Sequence, residues 1–275
     1  YMDIKAFKMD GLGNDFVIID QRNQNFNLSK DQIIKICDRD FIGCDQLIFI
    51  QKSEKKDAQL EFHNSDGSIS GACGNGTRCV ADLLSKENND KEIVLWTSSG
   101  ALKSKILGNN LVETEIGIAK TNWKEIPLNK DLDTKNLNIK IVSKDNVEHI
   151  GGTSINVGNP HVIFFVDNIE DYDLKKIGPE IENHNYFPEK CNVTLAKVMN
   201  KNLIKVKVWE RGAGLTKACG TAACATAVAA SINGLADKKT NIEFTLGKLS
   251  ISIDENNNIH MKGPVSNIKN IEIKI

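Results

Sequence analysis

Residues 72–76, Ala-Cys-Gly-Asn-Gly, recur as 218–222, Ala-Cys-Gly-Thr-Ala, with Cys73 and Cys219 separated by 146 positions. Two more markers repeat in the same order. Gly13-Asn14-Asp15-Phe16 leads into one apolar run, Gly158-Asn159-Pro160-His161 into another, and the two asparagines are 145 residues apart. Asn64 and Glu210 each end a strand-like run nine residues before their cysteine. Repetition in fixed order at nearly fixed spacing points to a duplicated unit, so the chain is expected to form two pseudo-equivalent domains. A length of 275 residues suits two domains of ordinary size.

Strands dominate both halves. Short β-branched and aromatic runs bounded by turn residues predict strands at 15–20, 46–50, 58–64, 92–98 and 111–119, then at 161–166, 192–199, 203–210, 242–246 and 249–254. Helices are fewer. Ser29 with Gln32 makes a capping box before Ile33, and Val80, Leu83 and Leu84 keep helical spacing after the glycine loop. The alanine-rich run 223–232 has few polar groups on any side, so it predicts a helix enclosed on most sides, around which a sheet must wrap.

Lys and Arg number 35 against 36 Asp and Glu, a net charge of -1, which offers no basic field for nucleic acid or an anionic membrane. No apolar run approaches a membrane span and no leader pattern opens the chain, so a cytoplasmic protein is expected, with Tyr1 ahead of Met2 read as an added residue. Seven cysteines, an odd set without any C-x-x-C, argue against a disulfide framework and against structural zinc; no metal is expected. Cys37, Cys44, Cys79, Cys191 and Cys224 read as small buried hydrophobes. His63, His149, His184 and His260 read as surface or packing histidines, and the Lys/Asn-rich runs 86–92 and 254–258 as solvated turns. Segment 124–140 either bridges the domains or decorates one.

The duplicated setting makes Cys73 and Cys219 different. A thiol where a helix begins meets outward N–H groups and the positive end of the macrodipole, which lower its pKa and let the thiolate act as a base; a neutral thiol opposite serves as an acid. Two such loops facing across a cleft could take a proton from one face of a stereocentre and return one to the other. The N–H groups at Gly74–Asn75 and Gly220–Thr221 would hold the carboxylate onto which charge moves. No cofactor is then required, and none is expected: the chain has no phosphate-binding G-x-x-x-x-G-K-[ST], and GLGNDF is not a dinucleotide fingerprint.

GLGNDF (11–16), IGCDQL (42–47), HNSDG (63–67), ACGNGTRC (72–79), VGNPH (157–161), WERGAG (209–214) and ACGTAACA (218–225) together resemble the successive signatures of the diaminopimelate epimerases. The resemblance runs over nearly the whole chain. It implies an α/β (α+β) fold of two pseudo-symmetric domains, each a mixed, mostly antiparallel sheet rolled around a central helix. The domains would be 1–118 plus 265–275, and 119–264, with the active site in the cleft between them. It also implies a pyridoxal-independent isomerase that interconverts LL- and meso-diaminopimelate for lysine and peptidoglycan synthesis, with Cys73 and Cys219 as the acid/base pair. Asn14, Gln46 and His161 would surround the reacting centre, His161 and Glu210 orienting or tuning the thiols. Asn64, Asn159, Asn192, Glu210 and Arg211 would grip the substrate, chiefly at its distal end, Arg211 clamping a carboxylate and Glu210 meeting an ammonium. The expected partner is a small molecule; a homodimer is the expected assembly, although no residue pattern fixes it.

Three segments depart from the family pattern. Phe41 replaces a common glycine, Leu215-Thr216-Lys217 replaces a more acidic run, and Ala222 replaces the second glycine of Cys-Gly-Thr-Gly, where a methyl is expected to crowd the carboxylate or change a backbone angle. Among alternatives, a proline or hydroxyproline racemase would share the paired thiols but lack a distal grip such as Asn64, Asn192 and Arg211. A phenazine-type isomerase of similar fold would lack the cysteine pair. A thiol redox or metal-binding protein would need the C-x-x-C or further ligand pairs that are missing here.

Overall fold

The computed structural model describes residues 2–24, 26–71, 73–98 and 100–275. Tyr1 and Ala72, both singled out above, lie outside them. The chain divides into two compact units, Tyr1–Glu115 with Lys262–Ile275, and Ile116–Met261.

In the first unit β1 (Asp3–Gly11) and β2 (Asn14–Asp20) form an antiparallel hairpin. After α1 (Lys30–Cys37), β3 (Gln46–Gln51) lies parallel to β2, and β4 (Ala58–Asn64) returns antiparallel to β3. The short β5 (Ile69–Ser70) folds back on β4 before α2 (Gly74–Asn88). Next, β6 (Glu92–Thr97) pairs parallel to β4, followed by antiparallel β7 (Gly100–Gly108) and β8 (Leu111–Ile118).

The second unit opens with a ribbon of β9 (Ile139–Val142) and β10 (Glu148–Gly151). It then repeats the order of the first. Antiparallel β11 (Thr153–Asn156) and β12 (Pro160–Phe165) precede α3 (Leu174–Glu182), and β13 (Asn192–Asn200) lies parallel to β12. β14 (Leu203–Glu210) is antiparallel to β13 and carries the short β15 (Gly214–Thr216) ahead of α4 (Gly220–Ile232). β16 (Lys239–Phe244) pairs parallel to β14 and antiparallel to β17 (Gly247–Ile253); β18 (Asn258–Pro264) follows. The last strand, β19 (Lys269–Lys274), runs antiparallel to β1 in the first unit. Identical pairing, parallel and antiparallel steps included, is the structural form of the sequence repeat.

Each sheet encloses its central helix, as expected. Every residue of α2 from Asn75 to Ser85 is buried, and so is every residue of α4 from Ala222 to Ala230. The close approach is set by small residues. A Cβ at Gly76 would lie 2.7 Å from Ile48 and 2.9 Å from Phe62, so hydrogen at this position lets α2 press its first turn onto the sheet. The capping box of α1 forms as read: Gln32 N donates to Ser29 Oγ at 3.2 Å, and Ser29 N to Gln32 Oε1 at 2.8 Å.

Several boundaries differ from the sequence reading. Residues 86–88 are the last turn of α2, not a solvated turn, because Asn89 can adopt the left-handed φ of 55° that stops the helix one residue later. β16 begins at Lys239, three residues before the apolar run that signalled it, because backbone pairing with β17 extends past the buried side chains. Helix α3 has no clear signal in the sequence. Its Leu174, Ile177 and Ile181 keep helical spacing and are buried, but Gly178-Pro179 in the middle reads as a break. Segment 124–140 belongs to the second unit, where Ile126, Leu128 and Leu137 enter its core. Cys37, Cys44, Cys79, Cys191 and Cys224 are all buried, Cys44 Sγ lying 3.5 Å from Cys37 Sγ. Among the described residues no helix is long and apolar enough to cross a membrane.

Candidate active site

Cys73 and Cys219 occupy the same local position, the N-cap of the helix their unit encloses, both with extended backbone (φ -110° and -143°). Thr77 N bonds to Cys73 O and Ala223 N to Cys219 O, the first intrahelical bonds of α2 and α4. The helix itself therefore offers no backbone acceptor to the N–H groups of Gly74 and Asn75, or of Gly220 and Thr221. These are donors suited to an anion.

In the first unit the sheet delivers three amides to the end where α2 begins. Asn14 starts β2, Gln46 starts the parallel β3, and Asn64 ends β4 directly opposite Gln46. Asn14 Oδ1 lies 3.4 Å from Cys73 Sγ and accepts from Asn75 Nδ2 at 3.4 Å. Gln46 Nε2 donates to Asn64 Oδ1 (3.2 Å) and to Ser70 Oγ (3.0 Å).

What holds Asn14 in place was not read from the sequence. Its Nδ2 donates to Asp45 Oδ2 at 2.9 Å, and Arg39 forks across Asp15 (2.6 and 2.8 Å) while also reaching Asp45 at 2.8 Å. Lys8 adds a contact to Asp15 at 2.9 Å. Burial alone would raise the Asp15 pKa, but the bonds from Arg39 and then Lys8 outweigh it and hold the carboxyl well below the usual range. A depressed carboxyl stabilises the fold above its unfolded pKa, and that contribution is lost as pH falls through the folded value. Arg39→Ala is therefore expected to move acid unfolding to higher pH and to cost about 1 kcal/mol at neutral pH, a small figure because solvent screens the exposed guanidinium. Acid titration followed by circular dichroism checks this; an unchanged acid midpoint would exclude the effect.

In the second unit a polar chain ends on Cys219. His161, fully buried at the start of β12, meets Asn159 Oδ1 at 2.8 Å through Nε2, which must donate. Asn159 Nδ2 donates to Thr221 Oγ1 at 3.3 Å, and Thr221 Oγ1 stands 3.5 Å from Cys219 Sγ. Burial, with Arg211 nearby, pushes the His161 pKa down to about 3, so the ring is neutral and acts by orienting Asn159. Its Nδ1 has no hydrogen-bond partner among the described residues.

Of the two thiols, Cys219 is pushed well above the ordinary value, first by burial and then by the charge of Glu210, which suits the neutral partner of an acid/base pair. Donation from Ala222 N to Sγ at 3.4 Å and the Thr221 contact pull the other way and lose. Removal from water outweighs one helix end. The Glu210 carboxyl is itself raised, chiefly by burial. Ala222 sits buried in the first turn of α4, where a methyl is compatible with helical backbone.

Asn192 is spent internally. Its Nδ2 donates to Pro160 O at 2.9 Å and its Oδ1 accepts from Arg211 N at 2.8 Å, so it braces the turn that presents Arg211. Arg211 is exposed and, among the described residues, its guanidinium bonds Glu189 O at 3.0 Å through Nη1. Phe41 is 39% exposed beneath Lys35, and Leu215 is half-buried against the core of the second unit.

The sequence model of the diaminopimelate epimerase family matches residues 6–122 and 153–268. A diaminopimelate epimerase of Pelagibacter ubique (strain HTCC1062) is 78% identical over 274 residues, all of both chains, and that of Acidiphilium cryptum (strain JF-5) is 40% identical over 94% of this chain and 92% of its own. Among solved structures, a PhzF-family phenazine biosynthesis protein of Bacillus anthracis superposes with a TM-score of 0.68 over 100% of both chains at 15% identity. A hydroxyproline epimerase of Agrobacterium vitis superposes at 0.63, covering 99% of this chain and 92% of its own, at 11% identity. At such identities these two share the fold. The matched sequence segments take in both Cys-Gly helix starts, and the chain belongs to the diaminopimelate epimerase family.

Proposed function

We propose that this protein interconverts LL- and meso-diaminopimelate by proton transfer at the α-carbon between two thiols, without a cofactor, in lysine and peptidoglycan synthesis. The observation that carries this reading is that both repeats, in a chain of this family, place a cysteine at the N-cap of the buried central helix. Chemistry requires the two thiols to act on opposite faces of one carbon. Cys219, held protonated, donates while the Cys73 thiolate abstracts; in the reverse direction the roles exchange. Charge leaving the α-carbon moves onto its carboxylate, which the N–H groups of Gly74–Asn75 and Gly220–Thr221 stabilise more strongly in the transition state than in the ground state. Asn14 orients Cys73, and the His161–Asn159–Thr221 chain orients Cys219.

Asn64, Gln46, Asn159, Glu210 and Arg211 recognise the substrate, with the Arg211 fork on the distal carboxylate and Asn192 bracing the turn that presents it. A cytoplasmic homodimer built from two domains is the setting we infer. Proton NMR of the reduced protein with LL-diaminopimelate in D2O tests the reading. Deuterium should enter the α-position as the meso isomer forms. Neither deuterium entry nor inversion, from a folded protein with titratable thiols, would direct the search to proline-type substrates.

The charge of Glu210 gives a second check. Cys219 stays protonated as pH rises until its raised pKa is passed, so at pH 8 it should be alkylated more slowly than an ordinary thiol. Glu210→Gln removes the like charge and is expected to speed alkylation of Cys219 several-fold at that pH. Peptide mapping by mass spectrometry reads the rate, and an unchanged rate would sink the assignment.

A further inference from the structure

Helix α3 carries a buried carboxylate to which no role has been given. Glu182 closes the helix at 8% exposure. Its Oε1 accepts from Trp209 Nε1 at 2.8 Å and its Oε2 from Gly212 N at 3.1 Å. The two donors bracket Glu210 and Arg211 in sequence. One carboxylate thus closes the Trp209–Gly212 turn from one side, while Asn192 takes the Arg211 N–H from the other.

The helix is shaped for this contact. Gly178 is one turn before Glu182 and so on the same face. A Cβ there would stand 2.4 Å from the Trp209 indole, and hydrogen in its place lets the ring lie against the helix with its N–H reaching Glu182. Leu174, Ile177 and Ile181 bury the rest of that face in the core of the second unit, so the carboxylate is carried on a fixed support.

We infer that Glu182 is a positioning residue, a two-pronged acceptor on α3 that fixes the turn bearing Glu210 and Arg211 and thereby sets both the reach of the Arg211 fork and the placement of the Glu210 carboxylate beside Cys219. Its effect on turnover rests on the function proposed above; the clamp itself does not. A carboxylate is needed because both partners are donors: glutamine keeps the length but offers only one acceptor oxygen and turns its N–H2 toward the second N–H.

The test uses the full chain with Glu182→Gln, and Glu182→Asp as a variant that keeps two acceptors on a shorter stem. Indole proton resonances report the clamp. The chain has three tryptophans, and Trp209→Phe assigns the peak. In Glu182→Gln the Trp209 N–H signal should shift upfield while those of Trp96 and Trp123 stay, which also shows that the fold survives. Alkylation of Cys219 at pH 8 should change at least threefold, and KM for LL-diaminopimelate should rise about tenfold with a smaller fall in kcat; Glu182→Asp should fall between. An unmoved Trp209 signal overturns the clamp. A moved signal with Cys219 alkylation, KM and kcat all as in the wild type leaves Glu182 structural and overturns its positioning role. Wild-type protein inactive on diaminopimelate would count against the proposed reaction alone, because the indole and alkylation readouts need no substrate.

Discussion

Cys219→Ala should lower epimerisation of LL-diaminopimelate by about 10²–10⁴-fold, the range ascribed to a positioned acid or base, and Cys73→Ala should do the same. The informative result is what each variant retains. With one thiol gone, the remaining one can still remove an α-proton from its own face and return deuterium to it, so slow isotope exchange without inversion is expected from one stereoisomer in each variant, and from opposite isomers in the two. Proton NMR in D2O separates exchange from inversion. Inversion at the wild-type rate in either variant would end the two-thiol mechanism. Serine should rescue neither position, since a hydroxyl is far weaker as an acid and hard to ionise as a base. Burial and Glu210 push the Cys219 thiol up, in keeping with the proton-donor role proposed for it.

Arg211→Ala is expected to raise KM for diaminopimelate about 30- to 1000-fold, as for loss of a charge-assisted carboxylate clamp worth roughly 2–4 kcal/mol. In the proposed reaction the N–H groups of the helix starts, not Arg211, hold the reacting end of the substrate, so kcat should fall less than KM rises. Arg211→Lys should recover little, because an ammonium is a point charge and cannot present two parallel N–H bonds. Among the described residues the exposed guanidinium bonds Glu189 O through Nη1, so its fork can turn toward a ligand. An unchanged KM, with the fold intact by circular dichroism, would remove Arg211 from substrate recognition and leave Glu210 and the asparagines to carry it.

Much of the architecture was legible before any coordinate. The 146-residue offset of the two cysteines reappears as matching strand pairings in the two units, and the alanine-rich run is enclosed as far as Ala230, with Ile232 emerging at its end. Strand-like runs such as 58–64 and 203–210 match to the residue, because apolar alternation and turn residues are local properties. Helix α3 escaped because Gly178-Pro179 carries a breaker's meaning locally, whereas in the fold Gly178 is the seat of an indole. The pairing of Gln46 with Asn64 and the Arg39 fork on Asp15 and Asp45 depend on register and on side-chain reach between strands and loops.

The sequence by itself determined the duplication, the enclosed helices and the residues on which the chemistry was staked, since all of these are written in order, spacing and residue type. Only the tertiary structure decided their electrostatics and their supports. Burial and Glu210 raise the Cys219 thiol, His161 is buried and neutral beside Asn159, Asn192 braces Arg211, and Glu182 closes the Trp209–Gly212 turn. The physical reason is that a pKa and a hydrogen bond are set by what surrounds a group in space. Loss of water around Cys219 outweighs the helix end beside it, and no linear spacing records how deeply a residue is buried.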